Sequence, residues 1–156
     1  MSESIEYFSS GREILKNLES EGKYVFHGSE KPGLEYLEPR QAHDVVDGVE
    51  KSDDNPGVHA SPFSDIAILM AMVNMKNCPN GFDSGFGNPD NKLTLTVSRQ
   101  GLDQLTDNSS GYVYVFSKND FTKRGHLQSI SYKKVLPIRI IEVKKSDLPN
   151  DIKIEG

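Results

Sequence analysis

Two histidines stand in matched surroundings, in YVFHGSE (residues 24–30) and in GVHASPFSD (residues 57–65). Each closes a short apolar run and is followed by one small residue and a serine. Imidazole titrates near neutrality, so such a pair can pass a proton in and out across a phosphodiester while the hydroxyls hold its oxygens. The same pair can also form two walls of a ligand pocket, or be two core histidines satisfied by hydrogen bonds. The other reactive side chains carry less. Cys78 lies in the turn-rich NCPNG with no cation beside it to lower its pKa, and as the sole cysteine it reads as a free thiol in a reducing compartment. His43 in QAHDVV and His126 in RGHLQ read as loop residues, and Asp65 as a helix-capping carboxylate. Four dispersed histidines and one cysteine show no metal-ligand spacing.

The elements that must position His27 and His59 follow from periodicity and breakers. Ser9 or Ser10 caps a helix running to about residue 21, with Ile14, Leu15 and Leu18 on one face and Gly22 ending it. KYVF is a short buried strand leading to His27. Residues 28–56 form a long irregular stretch, and GVHA is a second short strand. PFSDIAILMAMVNM is the strongest helix signal, with Pro62 and Asp65 suited to its start and an apolar face wide enough to be buried on most sides. Its methionines read as core packing. Residues 77–91, rich in Gly, Pro and Asn, form a loop long enough to be a lid or a surface excursion. Then come KLTLTVS, a helical turn at GLDQL, GYVYVFS, LQSISYKKV and PIRIIEV, strands alternating with period two as half-buried antiparallel strands do. The aromatics of GYVYVFSKNDF read as core rather than as a base-stacking platform. The class is α+β, one domain over residues 1–156, with an N-terminal helix (1–22) and a C-terminal tail (144–156).

Charge and composition narrow the partners. A net charge of −5 disfavours non-specific nucleic-acid binding, which needs Lys and Arg against phosphates. No apolar run approaches the length of a membrane span, and the start MSESIEYFSS lacks the basic and apolar regions of a signal peptide, so the expected location is cytoplasmic with no membrane partner.

A strand ending in His-Gly-Ser, a strand ending in a small-residue turn, a helix at once, then antiparallel strands: this order resembles the ADP-ribosyltransferase fold, in the branch of poly(ADP-ribose) polymerases and diphtheria toxin. YVFHGS resembles that branch's first motif, GVHASPFSDIAILMA its second, and HLQSISYKKVLPIRIIEV its third. The resemblance spans residues 27–143. It implies an NAD-sized cleft between two small antiparallel sheets, with NAD as substrate and ADP-ribose passed to a macromolecular acceptor or to water. His27 would bond the adenine-side ribose. Gly28 would hold the nicotinamide amide by its backbone, the absent side chain letting that backbone come close to a flat ring. Ser29, Ala60, Ser61 and Arg40 would complete the cofactor-binding set, Arg40 as a bidentate phosphate contact. Two positions depart from the family. His59 (or Val58, one residue off in register) stands where a tyrosine stacks on nicotinamide. Gln128 stands where the catalytic glutamate stands, keeping a hydrogen bond but losing the charge that stabilises an oxocarbenium-like state. His27, His59 and Gln128 are therefore the catalytic candidates of a slow transferase, of a chemistry needing no carboxylate, or of a nucleotide-binding module without turnover. RNA 2'-phosphotransferases share the fold and use NAD with His and Arg. Two-histidine phosphoesterases share only the paired His-x-Ser motif.

Overall fold

The computed structural model describes residues 10–39 and 57–155, with the strand backbones of 44–46 and 49–51 between them. Helix α1 (Gly11–Ser20) starts where Ser10 Oγ accepts from Glu13 N at 3.1 Å. It stops before Gly22, whose φ of +70° suits a residue without a side chain. Leu15 is fully buried, and Ile14 and Leu18 pack beside it as their spacing predicts.

Strands β1 (Tyr24–Ser29), β7 (Ser110–Ser117) and β10 (Arg139–Lys144) form an antiparallel sheet in the order β1-β7-β10. In β7, Tyr114 and Phe116 are fully buried, in the core role expected of them, but Val113 and Val115 are fully buried too, so this central strand is covered on both faces rather than half-buried. Helix α2 (Ser64–Met72) lies on this sheet with every residue but Met70 buried. It rests on two glycines. A Cβ at Gly28 would stand 2.1 Å from Ala67 O, and one at Gly111 would stand 2.0 Å from Ala71 O. Their absent side chains set the helix against the sheet backbone.

A second antiparallel sheet has the order β4-β9-β8, from β4 (Val58–Ala60), β9 (Gln128–Ser131) and β8 (Thr122–Arg124). A third joins β5 (Ser84–Gly87), β6 (Thr94–Ser98) and β11 (Lys153–Glu155), with β11 parallel to β6. Strands β2 (Asp44–Val46) and β3 (Val49–Lys51) make a two-stranded hairpin. Helix α3 (Arg99–Asp103) is the short turn expected between β6 and β7. The class is α+β.

Several expected loops carry structure. β1 runs through Ser29, the hairpin β2–β3 interrupts the stretch 28–56, and β5 lies inside 77–91. The expected tail 144–156 is tied down as far as it is described, to residue 155. Asp147, buried, accepts from Lys144 N at 2.8 Å and from Arg12 N at the start of α1 at 3.0 Å, and β11 then pairs with β6. Asp65 does not cap its own helix. Its carboxylate takes a two-pronged bond from Arg12 (3.0 and 3.1 Å) and a Lys16 contact at 3.0 Å. The start of α2 is held instead by Glu19 of α1, which accepts from Ser64 N (2.8 Å) and Ser64 Oγ (2.7 Å). Among the described residues, no helix is long and apolar enough to cross a membrane.

Candidate functional site

The first two sheets meet at one point. Phe26 N donates to Ser61 O at 2.7 Å and Ser61 N to Phe26 O at 2.8 Å, an isolated antiparallel bridge between β1 and the end of β4. One residue on, the ladder stops, and the His27 side chain takes its place: Nδ1 lies 2.6 Å from the His59 carbonyl oxygen. A carbonyl only accepts, so Nδ1 carries the proton and, in the neutral ring, Nε2 carries the lone pair. The two strands thus part around an imidazole. Phe26 aims its N–H and C=O at Ser61, so Gly28, two residues further along the same strand, aims the same groups into the opening. His59 is the exposed middle residue of β4, between buried Val58 and Ala60.

The opening holds two neighbouring cavities. One, of about 270 Å³, is lined by His27, Gly28, His59, Ala60, Ser61 and Gln128, with Phe26, Ile66, Ala67, Met70 and Phe86 supplying its apolar surface. The other, of about 320 Å³, shares His27 and His59 and adds Lys31, Tyr36 and Glu38 among its walls. The two imidazoles stand between the chambers, each near the lower end of ordinary ligand pockets. Gln128 opens β9, and its neighbour Ser129 pairs with Ala60, which sets the amide beside the end of β4. Among the described residues, no carboxylate or ammonium lines the smaller chamber.

Burial pushes the His27 pKa down. The bond to the His59 carbonyl opposes this, and the His59 imidazole adds to the lowering. An unfolded histidine titrates near pH 6.5. Between that value and the lower folded one, the unfolded chain binds more protons, so stability is complete above about pH 6.5 and falls as pH drops towards the folded pKa. A His27→Gln variant, whose amide can still bond the His59 carbonyl, should lose this part of the slope. Denaturant titrations at about pH 7.5 and about pH 5 would show it, and equal slopes in both proteins would refute it.

Behind His27, Tyr114 is its cross-strand partner, ring edge to ring face at 6.5 Å. The Tyr114 hydroxyl donates to Lys31 O (2.6 Å) and accepts from Leu34 N (3.0 Å), so it fixes the segment that walls the larger chamber. Six of the eight residues singled out as catalytic or cofactor-binding therefore border one cavity. Ser29 does not: its hydroxyl accepts from Lys31 N at 3.0 Å and closes a turn beyond the opening. Arg40 and His43 lie outside the described residues.

The space argument for Gly28 is corrected by the geometry. Its missing side chain faces α2, not the opening, and only its backbone edge faces the cleft. Met70, read as core, lines the chamber with Ile66 and Ala67 and is the one α2 residue that is not buried, and Phe86 reaches the chamber from inside 77–91. Neither carries a local signal. Met70 looks like its buried neighbours, and Phe86 becomes a wall only through β5 pairing with β6. His126 is elsewhere, packed edge-on against Phe63 at 5.5 Å. Cys78 is buried, its thiol pKa raised by that burial and its Sγ–H donating to Gly101 O at 3.3 Å. Among the described residues, no group of three or more His, Cys, Asp or Glu side chains is placed to hold a metal ion. No family model matches the chain, and no curated protein or solved structure is significantly similar to it.

Proposed function

We propose that the chain is an ADP-ribosyltransferase-like protein that binds NAD in the paired chambers, with nicotinamide in the smaller one. The observation that carries this is the parting of β1 and β4 at His27. It turns a strand's N–H and C=O, at Gly28, towards a partly apolar chamber that holds an imidazole and an amide side chain. A carboxamide needs that pair: one backbone donor, one backbone acceptor and a flat apolar slot. The larger chamber, with Lys31 and Tyr36, takes the adenosine diphosphate end. In this reading His27, fixed through Nδ1, offers Nε2 to a ribose hydroxyl, and His59 flanks the ring.

The reaction is displacement of nicotinamide, with ADP-ribose passing to a macromolecule or to water. Among the described residues, the lining of the smaller chamber supplies no carboxylate to stabilise the positive charge that develops, so turnover is slow and binding is the larger part of the activity. A location in the cytoplasm, where NAD is abundant, agrees with this reading.

Saturating NAD should raise Tm. At a hundred times Kd the stabilisation is about 2.7 kcal/mol, or about 5–10 °C for a domain of this size. The shift should vanish in His59→Ala, with slow nicotinamide release as the second readout. No shift with NAD or ADP-ribose would sink the reading. One observation favours a second reading: two imidazoles border both chambers, and one has a lowered pKa and a free lone pair, as a general base needs. Hydrolysis of a 2',3'-cyclic nucleotide or transfer of an RNA 2'-phosphate, lost in both His27→Ala and His59→Ala, would favour that chemistry.

A further inference from the structure

A larger cavity lies away from the paired chambers. It is about 640 Å³ and shares no lining residue with either of them. It opens where the end of α1, the start of β1, the turn before α2 and the β8–β9 ribbon come together. Its chemistry is one-sided. Lys118, Lys123 and His126 supply cationic or titratable groups. Among the described residues, the one carboxylate in the lining, Glu19, is already engaged by Ser64 N, Ser64 Oγ and, at 3.6 Å, Lys16. The walls are aromatic: Tyr24, Phe63 and Phe121, each only partly buried. Phe121 is held in place by Phe116 at 5.4 Å, and Phe63 by His126.

Partly exposed rings in a concavity attract a flat ligand, because stacked or edge-on contacts add to simple burial. Two lysines facing the same space without a free carboxylate attract an anion. A volume of this size suits a small molecule rather than a chain segment. We propose that this cavity is a second ligand site, for a small aromatic anion such as an aryl phosphate or a mononucleotide, distinct from the NAD-binding cleft. Alternation along β9 gives the two sites a shared support: Gln128 lines the cleft and Ser129, the next residue, lines this cavity.

The test uses phenyl phosphate as the probe, with inorganic phosphate and phenol as its two halves. The readouts are isothermal titration and the imidazole NMR signals. Phenyl phosphate should bind saturably and move His126 while leaving His27 and His59 in place. Each half should bind about tenfold more weakly, since ring contacts and charge each contribute on the order of one decade in affinity. Lys118→Ala and Lys123→Ala, both at exposed positions, should each weaken binding by about two- to fivefold without changing Tm. Inorganic phosphate binding as tightly as phenyl phosphate, movement of His27 before His126, or no saturation would each overturn the proposal. None of these results depends on NAD binding, so the two sites stand or fall separately.

Discussion

Gly28→Ala should cost the protein about 3 kcal/mol or more, the upper range for forcing an extra methyl into a packed interior. For a domain of this length that is a fall in Tm of about 6–12 °C. The added Cβ would stand 2.1 Å from Ala67 O and 2.7 Å from Ala71 N, and backbone atoms in mid-helix cannot swing aside as a side chain can. The helix would have to lift from β1, and with it the wall of the smaller chamber formed by Ile66, Ala67 and Met70. Gly111→Ala should be as damaging, for its Cβ meets Ala71 O at 2.0 Å. Gly22→Ala provides the contrast: nothing lies within 4 Å, and only its φ of +70° is strained, so the loss should be about 1 kcal/mol. Thermal melts of the three variants decide the matter. A Gly28→Ala protein as stable as the parent would show that α2 does not rest on the sheet as described.

The same two glycines mark the boundary of what the residues could say by themselves. A glycine after a strand histidine has several physical uses, and sequence gives no way to choose between room for a ligand and room for a helix. The choice depends on which face of β1 α2 covers, a long-range fact. Local signals were legible where local physics decides. Ser10 caps α1 as its side-chain oxygen allows, the apolar run after Pro62 is a helix buried on nearly every side, and the alternation in β6 and β10 is the observed in–out pattern, whereas β7, central in its sheet, is buried on both faces from Val113 to Phe116. β8 and β11 went unread because their residues are exposed and carry no alternation. They are strands only through their partners β9 and β6. Asp65 was misread as a cap because the cations that claim it, Arg12 and Lys16, lie in another helix. The convergence of His27, His59 and Gln128 on one cavity came from comparing the order of three motifs, not from any one of them.

Replacing Gln128 with glutamate tests that convergence chemically. A carboxylate at the mouth of β9 would face the space between the two imidazoles that the amide now borders. In the NAD reading, positive charge grows on the ribose as nicotinamide leaves, and a charged acceptor there gains about 1–2 kcal/mol over a neutral one. Nicotinamide release should therefore rise about tenfold, with little change in NAD affinity, because the charge develops only on the way to the transition state. A second consequence needs no NAD. A nearby carboxylate favours the imidazolium, so the lowered pKa of His27 should move back up towards its ordinary value. An NMR titration of the His27 ring reads this directly. If the pKa rises and release does not, the three side chains share a cavity but the chamber binds without turning over. If the pKa stays where it was, Gln128 does not reach the imidazoles, and the assembly of the site from three separate motifs fails with it.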